Sequence, residues 1–404
     1  HAHRRAGGAP LPVRRFFLIV LDGLGCGAAH DAAAYGDTGS DTLGNVAQAV
    51  GGLRLPVLES LGLGNIRPIA GVKPAAAPRA AHGIMRPVSA GKDSITGHWE
   101  ICGVLLERAF ATYPRGFPAD LLAEFSRLTG RGIIGNKAAS GTAIIDEFGG
   151  RHLETGDWIV YTSADSVFQV AAHEEKVPLA ELYGACAKAR AMLAGEPATA
   201  RVIARPFVGK PGAFARTANR KDFSIEPVGT TLLDLLAERG IPRHGIGKVD
   251  DLFAARNLTS THTPTNADAY RLIREALLRV DSGLVFVNVI EFDQNWGHRN
   301  DVAGFHRGLI ELDAWLGQVL PLVREEDVFV LTADHGNDPT TPSTDHSREN
   351  VPLVVFGPKI APVDLGSRGT FADLGQTAAE YFEVGPLAAG KSFFQARFTC
   401  SHVS

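Results

Sequence analysis

Cysteine is scarce, with four residues in 404, at positions 26, 102, 186 and 400. They lie too far apart for a metal knuckle and are too few for a disulfide scaffold, so a reducing, cytoplasmic setting is expected. Charge of one sign is scarce as well. The formal net charge is −4 and no same-sign run or basic stripe interrupts the balance, so nucleic acid is not an expected partner. No apolar run exceeds strand length, and no membrane span or membrane partner is expected. What remains is an ordinary globular composition, 45% hydrophobic and 21% charged, in a chain longer than one core usually supports. Two domains are therefore expected. Residues 1–14 mix His, Arg, Gly and Pro without periodicity and without a signal peptide's apolar stretch, and are read as a disordered extension.

Three apolar runs end in a carboxylate. Arg15 to Leu21 runs into Asp22 and Gly23, Gly283 to Phe292 runs into Asp293 with His298 five residues on, and Asp327 to Ala333 runs into Asp334 and His335, with His346 beyond. A single Asp after a strand usually makes a turn or caps a helix. Three such carboxylates, two of them with a nearby imidazole, are harder to obtain from capping alone. In a parallel sheet they would share the rim where open α/β sheets hold ligands. Three Asp and three His are enough for two divalent ions about 3.5–4 Å apart. Mixed oxygen and nitrogen donors suit Zn²⁺ or Mn²⁺ better than Ca²⁺, and the lack of cysteine in the set argues against a structural zinc.

Between the first and second of these runs lies a long stretch without a metal-type cluster. From about residue 110 to 227 it alternates strand patterns (Asp157 to Thr162, Ala200 to Ala204) with helical ones (Ala119 to Thr129, Leu179 to Ala194), and proline-bearing segments flank it. This predicts a smaller α/β cap inserted into a core formed by residues 15–109 and 228–404. Beyond it, Thr231 opens a helix that Gly240 and Pro242 close. Further helices are predicted from Asp268 to Leu278 and from Ala303 to Gln318, giving the strand and helix alternation of a mostly parallel sheet.

The segment Gly91-Lys92-Asp93-Ser94-Ile95-Thr96-Gly97-His98-Trp99-Glu100 offers a nucleophile. A hydroxyl at a helix start meets amide dipoles that favour phosphate, and a metal would lower its pKa. The same segment also reads as an ordinary N-cap, with Thr96 or Ser94 capping and Glu100 supporting the first turn.

These segments together resemble a known family. Asp-Gly-x-Gly from Asp22, Gly-Asp-Thr-Gly-Ser-Asp-Thr-Leu-Gly-Asn at 36–45, the 91–100 segment, and Thr-Ala-Asp-His-Gly-Asn-Asp-Pro at 332–339 with Thr344-Asp345-His346 are similar to the prokaryotic phosphopentomutases of the alkaline phosphatase superfamily. Ile134 to Thr142 and Tyr161 to Val167 resemble that family's cap, and the likeness runs from Phe16 to Phe394. It implies an alkaline-phosphatase-like core, and one ion held by Asp22, Asp334, His335 and the nucleophile, with a second held by Asp293, His298 and His346. Manganese is the implied metal. The implied nucleophile is Ser94, where the family commonly has threonine, with Thr96 as the fallback. Glu291 stands where the family would have aspartate. Ser163, Asp165, Arg201, Arg216 and Lys248 match positions that bind the pentose phosphate. The implied activity interconverts ribose 1-phosphate and ribose 5-phosphate, and their 2-deoxy equivalents, through a phosphoenzyme and a bisphosphate, with glucose 1,6-bisphosphate as activator. A mutase for another pentose such as arabinose, or a metal-dependent phosphatase of the same superfamily, would share the metal ligands.

Overall fold

A computed structural model describes residues 14–195 and 197–394. Apart from Arg14, the expected disordered extension lies outside the described residues. The strands, in chain order, are β1 (Arg15–Leu21), β2 (Ala81–Met85), β3 (Ile133–Ala138), β4 (Trp158–Thr162), β5 (Val167–His173), β6 (Arg201–Val208), β7 (Ala215–Arg216), β8 (Lys221–Ser224), β9 (Arg243–Ile246), β10 (Ser260–Thr261), β11 (Gly283–Val289), β12 (Val328–Thr332), β13 (Val351–Phe356) and β14 (Asp364–Arg368). The chain forms two compact units, which divide at Leu106/Glu107 and Glu226/Pro227. The expected divisions were 109/110 and 227/228.

The larger unit is built on an eight-stranded sheet of order β10-β9-β11-β1-β12-β13-β2-β14. Its centre is parallel, with β1 between β11 and β12, while β13 runs antiparallel to both β12 and β2. Strands covered on both faces read as continuous apolar runs, and every residue of β1, β11 and β12 is buried. Register then sets the rim. Leu21 pairs with Val289, and Val20 pairs with both Asn288 and Thr332, so the three central strands stop at nearly the same level. Asp22 follows its strand directly, and Asp334 and Asp293 lie within the next turn after theirs.

The helices are well punctuated. Helix Leu232–Glu238 starts in a capping box between Thr231 and Asp234, Asn266–Arg279 is capped by Thr265, and Val302–Val319 by Asp301. The segment after β11 departs from this pattern, with a π turn over Phe292–Trp296 followed by a 3₁₀ turn over Gly297–Arg299. A π turn is wider than an α turn and bonds residue i to i+5. This turns position i+5 closer to the face of position i, which suits a carboxylate and an imidazole spaced as Asp293 and His298 are.

The smaller unit has its own sheet, of order β3-β4-β5-β6-β7 with β8 also paired to β6. One face packs Trp158, Val160, Phe168 and Val202 against helices Ala119–Thr129 and Leu179–Met192 through Phe125, Leu182 and Cys186. The other packs Ile159, Tyr161 and Phe207 against Ile144 and Ile145 of helix Gly141–Thr155. No helix of the described residues is long and apolar enough to cross a membrane.

At the start of β1 and just before β12, away from the rim, Arg15 and Asp327 form a two-pronged ion pair, Nε to Oδ1 at 2.8 Å and Nη2 to Oδ2. Both are buried, at 1% and 3% exposure, and Arg15 also donates to the carbonyls of Leu277 and Val280. Removing one member of a buried pair leaves the other charge uncompensated. Asp327→Ala is expected to destabilise the larger unit by about 3–5 kcal/mol, read as a lower urea midpoint, and an unchanged midpoint would refute this account of the pair.

Candidate metal centre and nucleophile

The three rim aspartates are 2–8% exposed, and two groups of ligand atoms converge among them. Asp22, Asp334 and His335 form one, with His335 Nε2 3.2 Å from Asp22 Oδ1 and 3.4 Å from Asp334 Oδ2. Asp293, His335 and His346 form the other. His298 joins the second group, its Nε2 3.1 Å from both Asp293 Oδ2 and His346 Nε2, while His346 Nε2 lies 3.2 Å from Asp293 Oδ1. All six expected ligands therefore come together, and His335 is common to both groups.

Neighbouring groups orient these donors. The Nδ1 atoms of His298 and His335 face the carbonyls of Thr344 and Gly336 at 2.6 and 3.0 Å, which turns each Nε2 toward the carboxylates. Asn288 Nδ2 donates to Asp22 Oδ2 at 2.8 Å, Asn337 Nδ2 to Asp293 Oδ1 at 2.7 Å, and the Gly23 amide to Asp334 Oδ1 at 3.2 Å. Asp334 Oδ2 is buried yet accepts no hydrogen bond of good geometry, because the nearby His98 Nδ1 lies closer to the Ser94 carbonyl.

Charge pushes the same way. Burial, then the neighbouring Asp334 and Asp293 carboxylates, raise the Asp22 carboxyl above its usual range. At Asp293 burial acts upward too, but His346 and His298 outweigh it and hold the group well below that range. Burial would lower His335, yet Asp334, Asp22 and Asp293 drive it well above the ordinary imidazole value. The cluster therefore attracts positive charge strongly. A buried carboxylate oxygen without a donor, imidazoles turned toward it and a mixed O/N donor set fit one or two divalent cations.

Ser94 opens helix Ser94–Ile101 with Asp93 as N-cap. Its hydroxyl lies 3.0 Å from His335 Nε2 and 3.3 Å from Asp22 Oδ1. Thr96 is engaged elsewhere, since its amide and hydroxyl both donate to the Asp93 carboxylate, at 3.0 and 2.6 Å. The helix can approach the end of β12 because residue 97 is glycine. A Cβ there would come within 2.2 Å of the Asp334 carbonyl oxygen. A cleft bordered by Lys92, Thr96, Asp334, His335 and Glu349 reaches this point.

Of the five expected sugar-phosphate residues, four belong to the smaller unit and Lys248 to the larger. Ser163 Oγ accepts from the Asp165 amide at 3.3 Å, and Asp165 Oδ2 lies 3.3 Å from Arg201 Nη2. Arg216 is exposed and pairs with Phe207, six positions along β6 from Arg201. Lys248 belongs to the larger unit, where its ammonium donates to Gln294 Oε1. Glu291, unexplained by sequence, accepts from the Asn266 amide at 2.7 Å and from Asn295 Nδ2 at 2.8 Å, joining the rim to the next helix.

Sequence reasoning missed His98, Asn288, Asn337 and Glu349. Asn288 carried a signal, as the one polar residue inside the apolar run Leu284 to Ile290. Glu349 carried none. Burial pushes its carboxyl up to about 7, and it accepts from the Thr42 amide and hydroxyl and from Ser347, tying loops around the site together.

The sequence profile described as the Metalloenzyme superfamily matches residues 14–386. A phosphopentomutase of Anaeromyxobacter dehalogenans (strain 2CP-C) is 56% identical over 374 residues, covering 92% of this chain and 95% of that protein. One from Carboxydothermus hydrogenoformans is 52% identical over 384 residues, covering 95% and 99%. Among solved structures, Leishmania mexicana phosphoglycerate mutase aligns over 95% of this chain and 98% of that one at 13% identity and a TM-score of 0.49.

Because His335 lies in both clusters and His346 in one, His335→Ala is expected to weaken divalent-cation binding more than His346→Ala does. Equilibrium dialysis with elemental analysis distinguishes them, and identical losses in the two variants would overturn this division.

Proposed function

Because the chain belongs to the phosphopentomutase family of the Metalloenzyme superfamily, we propose that it interconverts α-D-ribose 1-phosphate and D-ribose 5-phosphate, and the 2-deoxyribose pair, with Ser94 carrying the phosphoryl group in transit. The observation that most supports this reading is the Ser94 hydroxyl at the helix start, within 3.3 Å of two candidate metal ligands, while Thr96 is held by Asp93.

Two divalent ions, manganese by family resemblance, held by Asp22, Asp334 and His335 and by Asp293, His298 and His346, would neutralise phosphate oxygens and favour the Ser94 alkoxide. The chain's own part is positioning. Phosphoserine 94, primed by a sugar bisphosphate such as glucose 1,6-bisphosphate, gives its phosphoryl group to the free hydroxyl of the sugar monophosphate. The phosphorus to serine-oxygen bond breaks, a phosphorus to sugar-oxygen bond forms, and the sugar hydroxyl's proton is released as the serine oxygen becomes a hydroxyl. The resulting bisphosphate returns its other phosphoryl group to Ser94 by the reverse exchange, so nothing is consumed. In this proposal the metal-binding core is the unit containing Ser94, and residues 107–226 form the sugar-binding unit, supplying Ser163, Asp165, Arg201 and Arg216, while Lys248 comes from the core. Asp165 suits sugar hydroxyls, and the arginines suit the phosphate that stays in place.

After incubation with glucose 1,6-bisphosphate and Mn²⁺, phosphopeptide mapping is expected to find phosphate on Ser94. Ser94→Ala should abolish turnover and Ser94→Thr should retain it. Phosphate on Thr96 with Ser94 bare would overturn the assignment. A coupled assay on ribose, deoxyribose and arabinose 5-phosphates tests the substrate, and release of inorganic phosphate without isomerisation would favour a phosphatase instead.

A further inference from the structure

Glu349 is buried, at 1% exposure, and lies outside both groups of candidate cation ligands. Burying a carboxylate costs several kcal/mol unless donors surround it, and here four do. Oε2 accepts from the Thr42 amide at 2.9 Å and the Gly27 amide at 3.2 Å, while Oε1 accepts from the hydroxyls of Thr42 and Ser347, each at 2.7 Å. An ionised carboxylate only accepts, so the single proton of the Thr42 hydroxyl is committed to Glu349 and its lone pairs are turned elsewhere. They meet the Asn337 amide, which donates to Thr42 Oγ1 at 3.1 Å and also to the Gly23 carbonyl at 2.9 Å.

Asn337 continues the line to the rim. It is fully buried, its Nδ2 donates to Asp293 Oδ1 at 2.7 Å, and its Oδ1 has no hydrogen-bond partner among the described residues. The side chain thus spends its hydrogen bonding on Asp293 alone. Three bonds join Glu349 to Asp293 through Thr42 and Asn337, and the chain makes room at both ends. A Cβ on Gly336 would lie 2.4 Å from Glu349 Oε1, and one on Gly297 would lie 2.5 Å from Asn337 Cγ. A carboxylate that merely tied loops together would need the Gly27 and Thr42 amides and Ser347. It would not need the Thr42 hydroxyl to sit between itself and Asn337.

We infer that Glu349 and Thr42 are positioning residues for the Asp293, His298 and His346 group, acting through Asn337. Asp293 presents Oδ1 to His346 and Oδ2 to His298, at 3.2 and 3.1 Å, and the Asn337 amide holds the carboxylate in that orientation. Glu349 fixes which way the Thr42 hydroxyl points, and Thr42 fixes the Asn337 backbone from a second direction. The inference rests on the reading of that group as a cation site.

Calorimetric titration of Mn²⁺ into the metal-free full chain reads binding without turnover. Thr42→Val keeps the shape of the side chain and the amide bond to Glu349 but removes the hydroxyl, and is expected to raise the Mn²⁺ Kd by about tenfold, the loss typical of disturbing a partner behind a metal ligand. Thr42→Ser should restore the parent value. Asn337→Ala should raise Kd by about 10–100-fold, and adding Thr42→Val to it should cost nothing further, because groups acting through one another are not additive. Glu349→Gln runs the same cycle from the far end, so it decides the matter should the Thr42 variant fail to fold. Unchanged Mn²⁺ affinity in Thr42→Val, or a loss that multiplies in full with that of Asn337→Ala, would overturn the relay while leaving the cation site standing. A parent chain that does not bind Mn²⁺ would overturn the cation reading itself, and the relay with it.

Discussion

Three aspartates buried within a few ångströms of one another form the constraint on which the larger unit depends. Moving a carboxylate out of water costs several kcal/mol even after relaxation, and like charges raise that cost. The cost is tolerable only if cations or donors face the group from every side. The sequence around the rim is arranged accordingly. Imidazoles 298, 335 and 346 turn Nε2 inward, Asn288 and Asn337 donate from behind, and the Gly23 amide reaches Asp334. The same demand explains why residue 97 has no side chain, since the helix carrying Ser94 must lie directly against the end of β12. Buried charges farther out hold the loops. Arg348 binds the carbonyls of Pro87, Ser89 and Gly91, and Glu100 accepts from the amides of Val88, Ser89 and Phe371. Between them they fix the turn that leads into Asp93 and Ser94.

A helix start with two hydroxyls two residues apart poses a problem of selection, which Asp93 resolves. As N-cap it accepts from the Thr96 amide through one oxygen and from the Thr96 hydroxyl through the other. Thr96 is thereby committed to holding the helix, and Ser94 at the first helical position is left facing the rim. The capping and nucleophilic readings of this segment are therefore complementary. The first sets up the geometry that the second requires.

The central strands were legible because parallel strands covered on both faces must be apolar throughout, so their polar ends stand out as Asp22, Asp293 and Asp334. Helices with caps and glycine or proline stops were legible for a similar local reason, as Thr231 and Gly240 illustrate. Strands β2, β13 and β14 were not, since they lie beyond β12 where the sheet turns antiparallel at β13, and β14 at the edge buries only Leu365 of its residues. The five-residue spacing of Asp293 and His298 was visible, but the π turn that gives it meaning was not. Spacing reports distance along the chain and not the width of the turn. His98 and Glu349 escaped because the contacts that tie them to the site, His98 to Asp334 and Glu349 to Thr42, span more than 200 residues of sequence, so no local pattern records them. The placement of Arg201 and Arg216 was not legible either. Strand register separates them by six positions of β6, information that composition and motif do not contain.

The two units have opposite electrostatic character. In the larger unit the rim concentrates carboxylates, while one face of the smaller unit's sheet carries Arg201, Arg205 and Arg216. The insertion point is consistent with that division. The first connection leaves directly after the nucleophile helix, and the second returns at Pro227. Within the larger unit the Leu232 amide donates to the Cys102 carbonyl at 3.0 Å, which brings the departing and returning chains together at the end of that helix. An insertion whose two connections lie side by side leaves the host sheet undisturbed.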